Sequence, residues 1–355
     1  MAKGFEASIA VVPETQGWGT TTFGQGFYMY TDSESLSVGQ EFKDRPDKLV
    51  FGRAERLNSR SKAMQKPNGD IEVQFRSNDS LPLFMGHFQK YTGTLMGTNA
   101  GGTAMYTFVP EKGQPDWVGS TYGTGGYTAA AGDMFTFGVL KKILDNTAGT
   151  GNSMMFKNCI VDQLAFNLEA GEDAKITASI IAGTVDIGTH IDLNPDNATF
   201  GSYSTLSAYE SWEGTLSVGG RTDLQITSIQ FTSVNNAEAR EVIGKLNPTQ
   251  YDFGNFELTG VVNIDAPKEA LWHLGSMVSD KQLAITGTLY NGANDYMVFN
   301  IPNAKYQPFD VNISGANEHT EYGLAFKAFA DNADATAPIT LTVRTSTVGS
   351  AFTKL

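Results

Sequence analysis

Four histidines and one cysteine are the side chains of this 355-residue chain best suited to acid–base, nucleophilic or metal chemistry. His87 and His273 fall at nearly equivalent places in two short helical patterns, each followed by an apolar residue. A pair placed that way reads as packing, histidine being a residue of intermediate burial. His190 and His319 stand among turn residues and read as solvent-exposed. Cys159 lies within Lys157-Asn158-Cys159-Ile160-Val161, and Ala304 occupies the matching place in a later segment. A position that accepts alanine reads as small and buried, not as a nucleophile. One cysteine forms no intramolecular disulfide, and with four scattered histidines it gives no metal-ligand spacing.

Paired acids are the other candidates, because two opposed carboxylates across a cleft would suit glycoside hydrolysis. Glu169, Glu172 and Asp173 occupy an expected hairpin turn, and Glu210 and Glu213 a second cluster. Both read as solvated surface, since Asp and Glu are seldom buried. The Gly-rich stretch Gly119–Gly126 matches neither a phosphate-binding loop nor a dinucleotide fingerprint, and no metalloprotease, calcium-loop or nucleophile-elbow pattern occurs. The expectation is a protein without catalytic residues, cofactor or metal.

Charge is distributed unevenly. Residues 1–150 hold 14 Lys and Arg against 15 Asp and Glu, so nearly all of the net charge of −13 belongs to residues 151–355. Such a surface repels phosphate backbones, yet it could border a path along which DNA moves. Against that background, eight cations lie between Lys43 and Lys66: Lys43, Arg45, Lys48, Arg53, Arg56, Arg60, Lys62 and Lys66, with only Asp44, Asp47 and Glu55 opposing them. This is a solvated loop, a basic arm that docks on an acidic neighbour, for which the planar fork of Arg is well suited, or a nucleic-acid contact, for which the segment lacks interleaved aromatics apart from Phe51. No run of eighteen apolar residues occurs, and the N-terminus lacks a basic region followed by an apolar stretch, so neither a membrane span nor Sec export is expected.

The elements that must position these residues are mostly strands. With 38 Gly the chain is built for tight turns. Short alternating runs recur: Ile71–Phe75, Leu164–Leu168, Leu224–Phe231 and Ile339–Val343 read as half-buried antiparallel strands. Two helices are expected, one after Ser80 with Pro82 in its first turn and a stop near Gly93, the other from about Pro267 to Gly275. The two regions form an internal repeat. Gly69-Asp70-Ile71-Glu72-Val73 matches Gly254-Asn255-Phe256-Glu257-Leu258 at the spacing that carries Pro82 onto Pro267, about 185 residues. Further on, Met134–Leu140 resembles Gln282–Leu289, and Asn158-Cys159-Ile160-Val161 precedes Leu164–Leu168 and Ala174–Ile181 much as Asn303-Ala304-Lys305-Tyr306 precedes Phe309–Ile313 and Tyr322–Phe329. The spacing falls between helix and next strand, which makes Gly93–Asp133 an insertion in the first copy, expected as an elaborated loop. The reading is a first domain over 1–190 carrying that insertion at about 93–133, and a second over 191–355 related by duplication.

The opening Ile9-Ala10-Val11-Val12-Pro13-Glu14-Thr15-Gln16-Gly17-Trp18-Gly19-Thr20, the strand around Ser33–Ser37, the Arg-rich segment and Gly69–Phe75 before a short helix together resemble the tail tube (major tail) proteins of long-tailed bacteriophages. Ile226–Thr232, Asn235-Asn236 and Gly254–Val262 look like the same module again, so the resemblance spans nearly the whole chain. It implies a mainly β fold of two tandem tube-type β-sandwich or barrel domains, each with a short flanking α-helix, related to the tube of contractile injection systems. It implies self-association into stacked rings enclosing a channel, contact with the tape measure, tail terminator and distal tail proteins, transient passage of DNA without sequence-specific binding, and a place in the virion tail after assembly in the host cytoplasm. Most members carry one tube domain and form hexameric rings, whereas a doubled chain would supply six pseudo-equivalent domains from a homotrimer. Arg45, Lys48, Arg53, Arg56, Arg60 and Trp18 are the expected inter-subunit contacts, Trp18 standing either as an ordinary surface aromatic or as an anchor on a neighbouring ring. The alternatives are the tube of a contractile or type VI secretion system, and a β-sandwich carbohydrate-binding adhesin or hydrolase, which would require clustered exposed aromatics or a carboxylate pair in a cleft.

Overall fold

The computed structural model describes residues 7–14, 26–47, 56–96, 103–110, 135–143, 152–188, 200–201, 206–222, 224–241, 243, 245, 247–248, 251–265, 267–292, 294–309, 322–330 and 336–345. Among the described residues, twenty-two strands and two α-helices follow one another. The strands before the first helix are β1 (Ala7–Pro13), β2 (Gly26–Met29), β3 (Thr31–Glu34), β4 (Gln40–Asp47), β5 (Arg56–Gln65) and β6 (Asn68–Gln74). Helix α1 (Leu81–Phe88) leads into β7 (Gln89–Met96), β8 (Thr103–Pro110), β9 (Phe137–Ile143), β10 (Asn152–Glu169), β11 (Lys175–Ile181) and β12 (Thr184–Gly188). Then come β13 (Phe200–Gly201), β14 (Gly214–Val218), β15 (Ile226–Val234), β16 (Glu238–Ala239), β17 (Tyr251–Asp252) and β18 (Glu257–Ile264). Helix α2 (Pro267–Val278) precedes β19 (Leu283–Tyr290), β20 (Tyr296–Tyr306), β21 (Tyr322–Ala328) and β22 (Thr340–Thr345).

Period-two burial is the reason these segments are strands. In β11, β21 and β22 every second residue is buried, placing Ile176, Ala178 and Ile180, then Leu324 and Phe326, then Leu341 and Val343 on the inner face. The ladder is antiparallel almost throughout and runs β3–β6–β11–β10–β15–β18–β21–β20, with branches from β10 to β9, β1 and β2, from β20 to β19 and β14, and from β20 through β22 to β8 and β7. One apolar cluster fills the space between these layers. It draws Phe75, Phe84 and Phe137 from the first half of the chain and Phe231, Phe299 and Phe326 from the second.

Irregularities recur at matching places in the ladder. The β9–β10 register shifts between Phe156 and Cys159, and the β19–β20 register between Leu283 and Ile285. The β3–β6 register shifts between Thr31 and Ser33, and the β15–β18 register between Ile226 and Ser228. Bulges of this kind aim the flanking side chains and so are structural features in their own right.

Helix α1 begins where the Ser80–Pro82 signal places it, with proline in its first turn, and is buried over its full length against β10, β7 and β8. It ends at Gln89 and not near Gly93. Gln89 takes a left-handed φ of 57°, unusual for a residue with a Cβ, and its side-chain amide donates to Gly86 O at 2.8 Å and Phe135 O at 3.2 Å while Oε1 accepts from Phe135 N. Those bonds replace the glycine that such a stop usually requires. Helix α2 likewise runs past Gly275 to Val278. Two further expectations need correction. Part of the presumed loop after Gly93 is the β7–β8 hairpin, whose second strand pairs with β22, and Leu164–Leu168 is the end of the 18-residue strand β10. The strand expected at Phe309–Ile313 lies outside the described residues beyond Phe309, as do His190, His319 and the junction at 190–191.

Gly260 shows how closely its neighbouring strands crowd it, since an added Cβ would sit 2.5 Å from the Phe326 ring and 2.6 Å from Gln230 O, whereas at Gly275 it would meet nothing within 4 Å. Gly260→Ala should therefore cost about 1–3 kcal/mol through overpacking. Gly275→Ala should be neutral or stabilising by up to about 1 kcal/mol through helix propensity. Equilibrium denaturation of both variants checks the contrast, and equal losses would contradict it.

Candidate assembly surfaces

Strand β10 joins the two halves of the chain along one seam with β15, as β22 joins them along another with β8. Beyond Asp162 it pairs with β15, from Gln163 opposite Val234 to Glu169 opposite Ser228. Apolar alternation places Phe166 and Phe231 on the same side, their rings stacked with centroids 5.1 Å apart, and Phe299 closes the group at 5.2 Å from Phe231.

A polar knot sits at the head of this seam. His87, from α1, brings Nε2 to 2.7 Å from the Ser233 hydroxyl and Nδ1 to 3.2 Å from Val161 O. Asn235 donates its side-chain amide to His87 O at 2.8 Å and to Val161 O at 3.1 Å, and its backbone N–H to Asp162 O at 2.8 Å. The Asp162 carboxylate accepts the N–H of Ala237. Burial pushes the His87 pKa down to about 4, so the ring is neutral at pH 7 and acts as a hydrogen-bonding core residue, with both nitrogens engaged. His273, in α2, is equally buried and bonds through Nδ1 to the Tyr306 hydroxyl at 2.6 Å. The packing role expected for both histidines matches these surroundings.

Where β10 turns from its partner β9 to its partner β11, the corner is fixed by a carboxylate that sequence reasoning passed over. Glu14 is fully buried, accepts the N–H of Asn158 at 2.7 Å and the hydroxyl of Thr136 at 2.5 Å, and burial raises its pKa. Asn158 has a φ of 54°, and the adjacent Cys159 is buried with its thiol pushed well up by desolvation, far from a reactive thiolate. Neighbouring Tyr251 donates its hydroxyl to Asn158 O at 2.9 Å.

The outer face of the same sheet is polar. Asp32, Asp70, Glu72, Glu169 and Glu257 share it with Lys175, Lys305 and Lys327, among hydroxyl and carboxamide side chains such as Ser179, Asn167, Gln230 and Thr259. Lys175 pairs with Asp32 at 3.2 Å and Glu72 at 3.7 Å, and Lys327 with Glu257 at 3.3 Å. Partly solvated pairs of this kind contribute little stability and chiefly order the surface.

Of the residues singled out for contact, Arg45, Arg56 and Arg60 lie on the β4–β5 hairpin, where Arg56 stands opposite Asp47, Arg60 opposite Asp44 and Arg45 opposite Ser59. Alternating charge across the hairpin is thus written into its register. Lys48, Arg53 and Trp18 lie outside the described residues. The hairpin leaves the sheet between β3 and β6, as the small β16–β17 ribbon leaves it between β15 and β18. At its base Lys66 meets Glu241 at 2.5 Å.

The chemical candidates do not converge. Glu169 and Glu172 are exposed at the β10–β11 turn and Glu213 is exposed beside it, while Asp173 and Glu210 share a backbone bridge. The adjoining cavity of about 450 Å³, walled by residues including Leu168, Trp212, Leu216, Ile226 and Phe299, has no titratable side chain among the described residues that line it. Among the described residues no group of three His, Cys, Asp or Glu could hold a metal, and no helix is long and apolar enough to cross a membrane.

Comparison with known proteins adds one match. The model of the phage tail tube protein family fits residues 4–345. No curated protein matches the chain.

The knot at the seam generates a pH-dependent outcome. Because the folded state keeps His87 neutral down to about pH 4, the unfolded chain takes up a proton there from about pH 6.5 downward and the folded chain does not. Stability conferred relative to a His87→Gln variant should therefore be constant above about pH 6.5 and shrink by up to about 1.4 kcal/mol per pH unit towards pH 4. Urea denaturation of both proteins at several pH values measures it, and a gap that widened on acidification would reverse the assignment. Asn235→Ala, which removes the carboxamide donor from His87 O and Val161 O, should cost about 1–3 kcal/mol in the same assay.

Proposed function

The chain belongs to the phage tail tube protein family, and from that premise we propose that it is the structural subunit of a phage tail tube in which each chain supplies two tube modules and three chains complete a pseudo-sixfold ring. The observation that supports the doubling is the repeated register. Phe137 faces Cys159 before a bulge as Leu283 faces Ala304 before a bulge. Ile71 faces Glu34, and Ala178 on its other side, as Val262 faces Ile229 and Leu324. Strand β12 joins β10 as β22 joins β20, and β1 joins β9 as β14 joins β19. In this matching Gly69, opposite Ile180, takes Gly260, opposite Phe326, as its counterpart, where sequence matching alone selected Gly254. The modules correspond to the divisions 1–190 and 191–355.

The polar outer face of the central sheet is then the channel wall. Its five acids against three lysines favour a net negative bore, which keeps a sliding polyanion from sticking; a ring of unpaired cations would add phosphate contacts at every layer. DNA passes along it without sequence-specific contact during ejection. The β4–β5 hairpins carry Arg45, Arg56 and Arg60, with Lys48 and Arg53 between the two strands, and act as arms towards neighbouring chains or rings, with Trp18 as a further anchor. The tube ends meet the tail terminator and distal tail proteins, the tape measure occupies the bore before ejection, and assembly takes place in the host cytoplasm.

Native mass spectrometry of assembled rings should give the mass of three chains, and a ring of six full-length chains would refute the doubled reading. Charge reversal at Arg53 and Arg56 should slow or abolish polymerisation, read by light scattering, while leaving the denaturation midpoint unchanged. Undiminished polymerisation would remove the arms from the interface.

A further inference from the structure

Among the described residues, β14 pairs with a strand on one side only. Leu216 stands opposite Gly287 in β19, as Ile9 of β1 stands opposite Lys141 in β9. On its other side β1 carries β2, with Met29 opposite Ile9, Tyr28 opposite Ala10 and Phe27 opposite Val11. The matching side of β14 holds much less. Val218, the counterpart of Val11, exchanges both backbone hydrogen bonds with Arg221 across a tight turn, and that bridge stands alone. Backbone groups along an antiparallel strand face alternate sides, so the N–H and C=O of Leu216 point the same way as those of Val218. Among the described residues nothing meets them there.

The apolar cavity lies against this bare edge. Leu216, Leu224, Ile226 and Phe299 wall it, and Trp212 lines it while remaining 65% exposed. Its volume of about 450 Å³ is within the range of sites that enclose a bound group. In the first half of the chain the matching positions are occupied. Lys141 and Glu34, counterparts of Gly287 and Ile229, form an ion pair there, and Met29 is buried. Three exposed acids border the cavity, Glu169 and Glu172 on the β10–β11 turn and Glu213 directly after Trp212. The nearby cation Arg221 is turned over the Trp272 ring.

We propose that the open edge of β14 and this cavity receive an extended, basic segment of a separate polypeptide. The segment pairs antiparallel with β14 at Leu216, places one methionine or aliphatic side chain in the cavity as Met29 lies opposite Ile9, and sets Lys or Arg against Glu169, Glu172 and Glu213. Each part has its own task. Backbone pairing supplies affinity, the cavity selects the apolar side chain, and the acidic border selects the charge of the flanking residues. Occupation also closes a strand edge that would otherwise template non-specific pairing. The site lies within a single chain, so it stands or falls independently of ring formation.

The probe is a labelled, end-blocked peptide, Lys-Gly-Phe-Tyr-Met-Lys, which sets the β2 sequence between two cations. Titrated into the full chain at low salt and read by fluorescence anisotropy, it should bind saturably. Replacing both lysines by glutamate should weaken binding about fivefold or more, a gap that added salt closes. N-methylation of the methionine, which removes the donor to Leu216 O, should weaken it about tenfold or more without any change to the protein. The Leu216 amide should exchange about tenfold more slowly with peptide bound. No saturable binding at about 1 mM peptide, equal binding of the glutamate or N-methyl form, or protection that spares Leu216 overturns the proposal. Slow exchange at Leu216 in assembled protein that excludes the peptide gives the edge to a further copy of this chain and overturns the separate partner. Native mass spectrometry of rings reads the tube assignment separately.

Discussion

Strand β10 has to belong to two layers at once, and nearly every other contact in the molecule follows from how it does so. Its first half pairs with β9 and β12, its second with β11 and β15. A strand can change partners only by breaking its hydrogen-bond rhythm, and that break leaves backbone donors in a place without water. The carboxylate of Glu14 takes the orphaned Asn158 N–H, and the tyrosine hydroxyl of Tyr251 takes the carbonyl of the same residue. Desolvation disfavours the charged carboxylate there and raises its pKa, against the opposing pull of the hydrogen bonds from Thr136 and Asn158 and of the Lys157 charge. Glu14 belongs to the first half of the chain and Tyr251 to the second, and a corner needing both ties the halves together.

Past the corner, the same logic governs the seam. Hydrophobic burial supplies the larger share of the cohesion through Phe166, Phe231 and Phe299, but aromatic packing alone tolerates sliding by one pleat. The knot of His87, Ser233 and Asn235 does not, because a shift would leave several buried donors and acceptors unpaired. Register is therefore set by polar groups in an apolar setting. The polar outer face has the opposite character, with shallow, exchangeable ion pairs around Lys175 and Lys327.

Much of this was legible from residue types. Alternation located β6, β11, β15 and β22, proline placed the start of α1, and the paired His87 and His273 announced a buried histidine on each helix. Other features depend on partners remote in sequence and left no local mark. Gln89 ends α1 because its side chain reaches Phe135, and Glu14 is buried because Thr136 and Asn158 await it. The hairpin β7–β8 was hidden in a glycine-rich stretch whose strand character comes from β22. The repeat was visible, but its strand register was not. Sequence matching set Gly69 beside Gly254, whereas the register match proposed above sets it beside Gly260, which faces Phe326. A signal in Asn235 existed, since a carboxamide directly after an alternating strand invites a capping role; only its target was unreadable.

The location of the β10–β15 seam inside one polypeptide bears on how fast and how completely a ring can form. Tethered strands meet at an effective concentration set by the connecting chain, on the order of millimolar for a short flexible link, whatever the dilution of the protein. Every join made this way is first-order and immune to depletion of free subunits. The kinetic order of closing a ring then counts chains and not modules, and a half-built ring has fewer places at which to come apart. In the doubled chain proposed above, fusion would free the two modules to drift in charge and sequence without having to recognise themselves, and a neutral first half beside an acidic second half is consistent with that freedom.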